Sequence, residues 1–186
     1  MSITKLNNLS ISAVTALPSG VGGKVLQVVT ATDSTLRSTS SLTFVTASNT
    51  LSASMTDVTG LSVSITPSSS SSKILIVLSL TIAGQDGISG AGYQLVRDST
   101  AICIGDAAGS RIRISGGIGY IGNTNSYTTI SGSFLDSPAT TSATTYKVQV
   151  GKGMNVFINR TEANSDGTEV YQARTASTIT VMEIAP

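Results

Sequence analysis

The chain has 186 residues, of which 40% are hydrophobic, 11% charged and 4% aromatic, with a formal net charge of +1. That length suits one all-β domain with a short appendage, or two very small domains, and its scattered Lys and Arg form no basic stripe for nucleic acid. With no His, no Trp and a single Cys, imidazole chemistry and an internal disulfide are both excluded, and no cofactor is expected.

Ser and Thr supply 56 of the residues, threaded through apolar positions in a two-residue alternation. This sends apolar side chains to one face of a sheet and hydroxyls to the other. Residues 1–23 predict an arm: Leu9, Ile11 and Ala13 alternate with Ser10 and Ser12 before Pro18-Ser19-Gly20 and Gly22-Gly23 break the pattern. A lone strand cannot bury its own face, so the arm must add to another sheet or chain. Lys24–Thr30 predicts a short strand in a β-rich connecting segment, 24–52, and Leu42–Val45 a second.

The main domain is expected over 53–186. Leu61–Thr66 predicts a strand ending at Pro67, followed by the five-serine loop Ser68–Ser72. Lys73–Ile82 is apolar on both faces, which predicts a central strand of a sandwich. Glycines over 84–92 mark a loop before a strand at Tyr93–Val96. Arg97-Asp98-Ser99-Thr100 then predicts a hairpin turn into Ala101–Ile104. Further strands are expected at Arg111–Ser115, Ile118–Ile121, Tyr127–Leu135, Thr144–Val150, Met154–Asn159 and Thr178–Ile184. No stretch sustains a helical period. Strands at this spacing predict a two-sheet sandwich or jelly roll.

Several motifs have simpler readings. Gly117-Ile118-Gly119-Tyr120-Ile121-Gly122 matches a dinucleotide fingerprint, but turn residues follow it where a helix N-terminus is required, so it predicts a glycine-rich hairpin. Ser70-Ser71-Ser72-Lys73 spells a nucleophile motif inside a serine homopolymer, where any spacing arises by chance. Glu162, Asp166 and Glu169 fit no standard cation loop. Cys103, in Ala101-Ile102-Cys103-Ile104, predicts a small buried side chain. Asn159-Arg160-Thr161 is a glycosylation sequon, meaningful only in a secretory pathway. Met1-Ser2-Ile3-Thr4-Lys5 lacks the apolar run of a secretory signal, and Ile74–Leu78 is far too short to span a membrane.

Asp57–Ser72 with Lys73–Leu78, Leu135–Tyr146, and the closing Ser177–Ile184 together resemble the head-decoration and tail-fibre knob domains of marine and freshwater bacteriophages, cyanophages among them. The resemblance covers 53–186. It implies a jelly roll like those of the C1q and tumour-necrosis-factor group, a homotrimer, and no catalytic residues.

These readings converge on a structural virion protein, made in the host cytoplasm and carried on the phage particle. The expectation is a homotrimeric capsid decoration or cement protein, an all-β jelly-roll β-sandwich with an extended N-terminal arm. Leu6, Leu9, Ile11, Ala13 and Leu17 would anchor the arm to the major capsid protein or another virion protein. Ile179, Val181, Met182 and Ile184 would line the threefold interface. Neither nucleic acid nor membrane is an expected partner. The alternative is a tail-fibre or receptor-binding knob for a host surface glycan, with Gly84–Gly92 and Asn123–Tyr127 as its loops. A polysaccharide hydrolase would need paired carboxylates at catalytic separation, and the acids are scattered.

Overall fold

Ile74, Ile76, Leu78, Leu80 and Ile82 alternate along one strand, and each is at most 2% exposed. They form the floor of a single apolar layer between two sheets. The computed structural model describes residues 24–38, 55–84, 91–109, 111–119, 123–152 and 155–186. Among these residues there are eleven strands and no α-helix. The strands are β1 (Val25–Asp33), β2 (Arg37–Ser38), β3 (Thr56–Ile65), β4 (Lys73–Gly84), β5 (Ala91–Arg97) and β6 (Thr100–Ile102). The chain continues through β7 (Gly116–Ile118), β8 (Thr128–Asp136), β9 (Thr144–Lys152), β10 (Val156–Ile158) and β11 (Ser177–Ile184).

All pairings are antiparallel. In the first sheet β11 lies between β1 and β4, and β8 takes the far edge of β4. The short β10 and β2 extend the rows of β11 and β1 along the end of β4. The second sheet runs β3-β9-β5, with β6 and β7 sharing the far edge of β5. The chain passes back and forth between the sheets, and its last long strand, β11, returns between the early strands β1 and β4. This is the winding of a jelly roll.

The core is filled by alternating residues of both sheets. Ile179 and Val181 join the β4 row from below, and Val58, Leu61, Val63, Ile65, Tyr93, Leu95, Tyr146, Val148 and Val150 close it from above. Each such side chain stabilises the fold by about 1.5–3 kcal/mol relative to exposure.

Charged groups pin the margins of this layer. Asp136, at the end of β8, accepts two hydrogen bonds of 2.9 Å from Arg97 on β5 and one of 2.7 Å from the Tyr146 hydroxyl on β9. One carboxylate thus ties the two sheets together. At the opposite end Asn159 is fully buried in the left-handed region, φ 62°. Its amide nitrogen donates to the Asp33 and Thr35 carbonyls, and its oxygen accepts from Ser177. Asp33 is itself paired with Arg37 at 2.8 Å. Its side chain crosses so close to β3 that a Cβ on Gly60 would fall 2.5 Å from its Cγ, so only glycine fits there.

The strand expected over Lys24–Thr30 is present, but it belongs to the sandwich: β1 is hydrogen-bonded to β11 along its length. The expected boundary at residue 53 therefore does not coincide with an edge of the jelly roll. Leu42–Val45 lies outside the described residues. Arg111–Ser115 is not a strand despite its alternation. The Arg113 guanidinium folds back onto the Gly105 carbonyl at 2.6 Å, and Ser115 bonds Tyr93, Leu95 and Ile102 through its backbone and hydroxyl. Cys103 is exposed rather than buried, because the chain leaves β6 at Ile102 and turns at Cys103 with φ 54°.

If Asp136 is the inter-sheet pin, Asp136→Ala should cost about 2–3 kcal/mol, because Arg97 and Tyr146 lose a shared acceptor. Tyr146→Phe should cost about 1 kcal/mol. Urea unfolding checks both, and negligible shifts in midpoint would show that the carboxylate does not hold the sheets together.

Candidate interaction surface

A strand can bury only alternate residues on one face, so the outward set of the first sheet is fixed once its inward set is known. Register places Val28, Met182, Leu75 and Leu135 side by side across β1, β11, β4 and β8. The next row is Thr30, Thr180, Val77 and Ser133, and the one beyond it Thr32, Thr178, Ser79 and Ser131. On the other side Val25 lies opposite Ile184, and Leu26 is the extra residue of a bulge.

The outward face therefore has an apolar half and a hydroxyl half. Val25, Leu26, Val28, Val77 and Leu135 are between 39% and 56% exposed, while Leu75, Met182 and Ile184 are half-buried. Within these rows the only charged side chain is Lys73, at the rim, where it donates to Ser137. The outward face of the second sheet differs in kind. There Lys147 pairs with Asp57 at 2.8 Å, and Gln149 donates to the same carboxylate at 2.7 Å.

Of the four residues expected at a threefold interface, Met182 and Ile184 lie on this face. Ile179 and Val181 do not: both are 0% exposed inside the protomer's own core and offer nothing to a second copy. The physical reason is the strand period, which cannot put neighbours such as Val181 and Met182 on the same side. The sequence reading missed Leu75, Val77, Val28 and Leu135, although the apolar outward positions of Lys73–Ile82 were visible in the pattern. Leu6, Leu9, Ile11, Ala13 and Leu17 lie outside the described residues, as does most of the loop 84–92. Asn123–Tyr127 forms a turn whose Tyr127 hydroxyl donates to the Val170 carbonyl at 3.4 Å.

The other motifs resolve simply. Gly116–Ile118 is a strand and a turn rather than a helix occupies Thr124–Asn125, while Tyr120, Ile121 and Gly122 of the glycine motif lie outside the described residues. The Asn159 amide of the sequon is buried and already committed to two carbonyls. Among the described residues no cluster of three metal-ligating side chains occurs, and no helix is long and apolar enough to cross a membrane.

The end of β11 beneath the apolar half is held by Glu183, which is 1% exposed. Its carboxylate accepts from Gln27 at 2.6 Å and from the Ser68 amide and hydroxyl at 2.7 Å each. The serine loop is therefore a cap on a buried charge. Burial pushes this carboxyl upward, but the hydrogen bonds from Gln27 and Ser68, with the nearby Ser72 hydroxyl, outweigh it and bring it to about 2. Asp33 and Asp57 are also held low, in each case against their burial, by their bonds to Arg37 and to Lys147 and Gln149.

Comparison with protein-family models found no match, and comparison with curated proteins found none.

The Glu183 cap gives a signed pH dependence. A carboxyl lowered from 4.5 to about 2 contributes stability that is fully present above pH 4.5 and lost as pH falls toward 2. Glu183→Gln should flatten the stability profile in that window, lower stability by a constant amount above it, and converge with the wild type toward pH 2. Urea titrations at pH 6, 4 and 2.5 measure this, and parallel curves for the two proteins would refute it.

Proposed function

We propose that the chain is a structural virion protein: a homotrimer that decorates a phage capsid, joined through the outward face of its first sheet and reaching the capsid through its N-terminal arm. The observation that carries this reading is β4. One side closes the core, and the other carries Leu75 and Val77 in the middle of a face that four strands share and whose one charged side chain, Lys73, stands at the rim. A contiguous apolar patch of this kind is a docking surface, and a second copy of the same face meets it with apolar and hydroxyl groups. The resemblance of residues 53–186 to phage decoration and knob domains supports the virion setting and the threefold number. The receptor-knob reading has thinner support, in the exposed Tyr171 beside Val170 on a single 3-10 turn.

The chemistry proposed is binding alone. The charged groups described above are paired for structure, and Cys103 stands exposed with no imidazole in the chain to activate it.

Light scattering on the full chain should give a mass that is a multiple of three protomers. Met182→Asp and Leu135→Asp place a charge on the shared face, so each should remove that factor of three while leaving the circular dichroism spectrum unchanged. Val181→Asp should unfold the protomer instead. A wild type whose mass contains no factor of three at micromolar concentration would contradict the trimer. Attachment is tested separately by sedimenting the protein with undecorated capsids: deleting residues 1–23 should abolish co-sedimentation, and equal pelleting of both forms would defeat the anchor.

A further inference from the structure

The four long sides of the sandwich are not equally protected. An edge strand exposes a row of backbone donors and acceptors, and natural edges are blunted by bulges, charges, Pro or brevity. At β1 a bulge interrupts pairing between Val25 and Gln27, next to Lys24. The register of β3 shifts between Asp57 and Ser62, and Asp57 is tied to Lys147. The remaining edge of the second sheet is broken into β6 and β7, of three residues each.

β8 has none of these devices. It pairs with β4 through nine consecutive residues without a shift, from Thr128 opposite Ile82 to Asp136 opposite Ile74. It contains no Lys, Arg or Pro, and its one charge, Asp136, is turned inward and held by Arg97 and Tyr146. Among the described residues no strand pairs with its other edge. Among the described residues the core is also less completely covered along this side. Ile130 and Phe134 point inward yet are only partly buried, and Gly132 between them is exposed and has no side chain.

The sequence of β8 is close to symmetric about that glycine: Ile130-Ser131-Gly132-Ser133-Phe134. We propose that β8 is a self-pairing edge, at which two copies of the chain join antiparallel, β8 to β8, about a two-fold axis at Gly132. In this register Ser131 lies opposite Ser133 of the second copy, and Ile130 opposite Phe134. Opposed residues share a face, so the hydroxyls meet on the outward side while the aliphatic and aromatic groups meet over the gap left by the two glycines. Thr128 meets Asp136, so no like charges are opposed. Thr129 lies opposite Leu135 on the outward side, and a shift of the axis by one residue either way would set Ile130 or Phe134 against Gly132 and lose the Ile130–Phe134 contact. The contact joins the two first sheets into one and uses the backbone edge, whereas the threefold reading uses the sheet's face. On a particle of threefold units it would connect neighbouring units in pairs.

The test is site-directed cross-linking in a Cys103→Ser background of the full chain. A Cβ added at Gly132 meets only the Tyr93 hydroxyl, at 3.5 Å, an ordinary contact, so Gly132→Cys should fold. A short bifunctional thiol reagent should convert Gly132→Cys to a covalent species of twice the protomer mass on a denaturing gel. Thr128→Cys should stay uncross-linked, because its counterpart would lie about 27 Å away. Equal cross-linking of both variants, or none of either, overturns the proposal. Hydrogen exchange on the wild type gives a second reading that needs no substitution. The β8 amides should gain at least tenfold protection on concentration from nanomolar to micromolar, and unchanged exchange would overturn the pairing. Adding Met182→Asp should leave the Gly132 cross-link intact, so failure of the threefold reading and failure of this one are distinguishable.

Discussion

The jelly roll has one apolar layer to share between two sheets, and β4 carries aliphatic side chains on its outward side as well. Its inward row, Ile74 to Ile82, fills the centre of the core. Its outward row includes Leu75 and Val77, flanked by Met182 and Leu135 across the hydrogen-bonded register. Each outward side chain is worth about 1.5–3 kcal/mol if it is removed from water. A sheet with this composition on a free surface is incompletely buried, and that imbalance underlies the functional reading.

The polar contacts keep this surface flat and in register. Asp136 ties the first sheet to the second at the β8 margin, while Asn159, Ser177 and Asp33 close the far end. Glu183 draws the serine loop down onto the end of β11, beneath Ile184 and Met182. Buried charges of this kind are not large sources of net stability, but each leaves an unpaired group if its partner moves. They therefore fix which residues point outward. A slip of β11 by one residue would bury Met182 and expose Val181.

Much of the fold was legible because alternation is a local signal. Lys73–Ile82, Thr144–Val150 and Thr178–Ile184 each fall within an observed strand, and Tyr127–Leu135 misses β8 by only one residue at each end. What alternation cannot give is the partner of a strand. Lys24–Thr30 looked like part of a connector because nothing local shows that it pairs with the last strand, some 150 residues away. Arg111–Ser115 alternates as well as any strand, yet Arg113 and Ser115 satisfy nearby backbone groups instead. The interface residues were half legible for a related reason. Ile179, Val181, Met182 and Ile184 are all apolar, but the period of two divides them, and the inward set contains Glu183. A carboxylate there would argue for the solvent side if the serine loop did not reach it.

Whether the outward face of the first sheet is covered by another copy is the claim on which the functional account turns. Hydroxyl-radical footprinting of the full chain, read residue by residue at nanomolar and at micromolar concentration, addresses it directly. The account predicts that Met182, Leu75, Val28 and Leu135 lose reactivity together as concentration rises, while Lys147 and Gln149 on the opposite sheet do not change. Equal reactivity of Met182 and its three neighbours at both concentrations would contradict it.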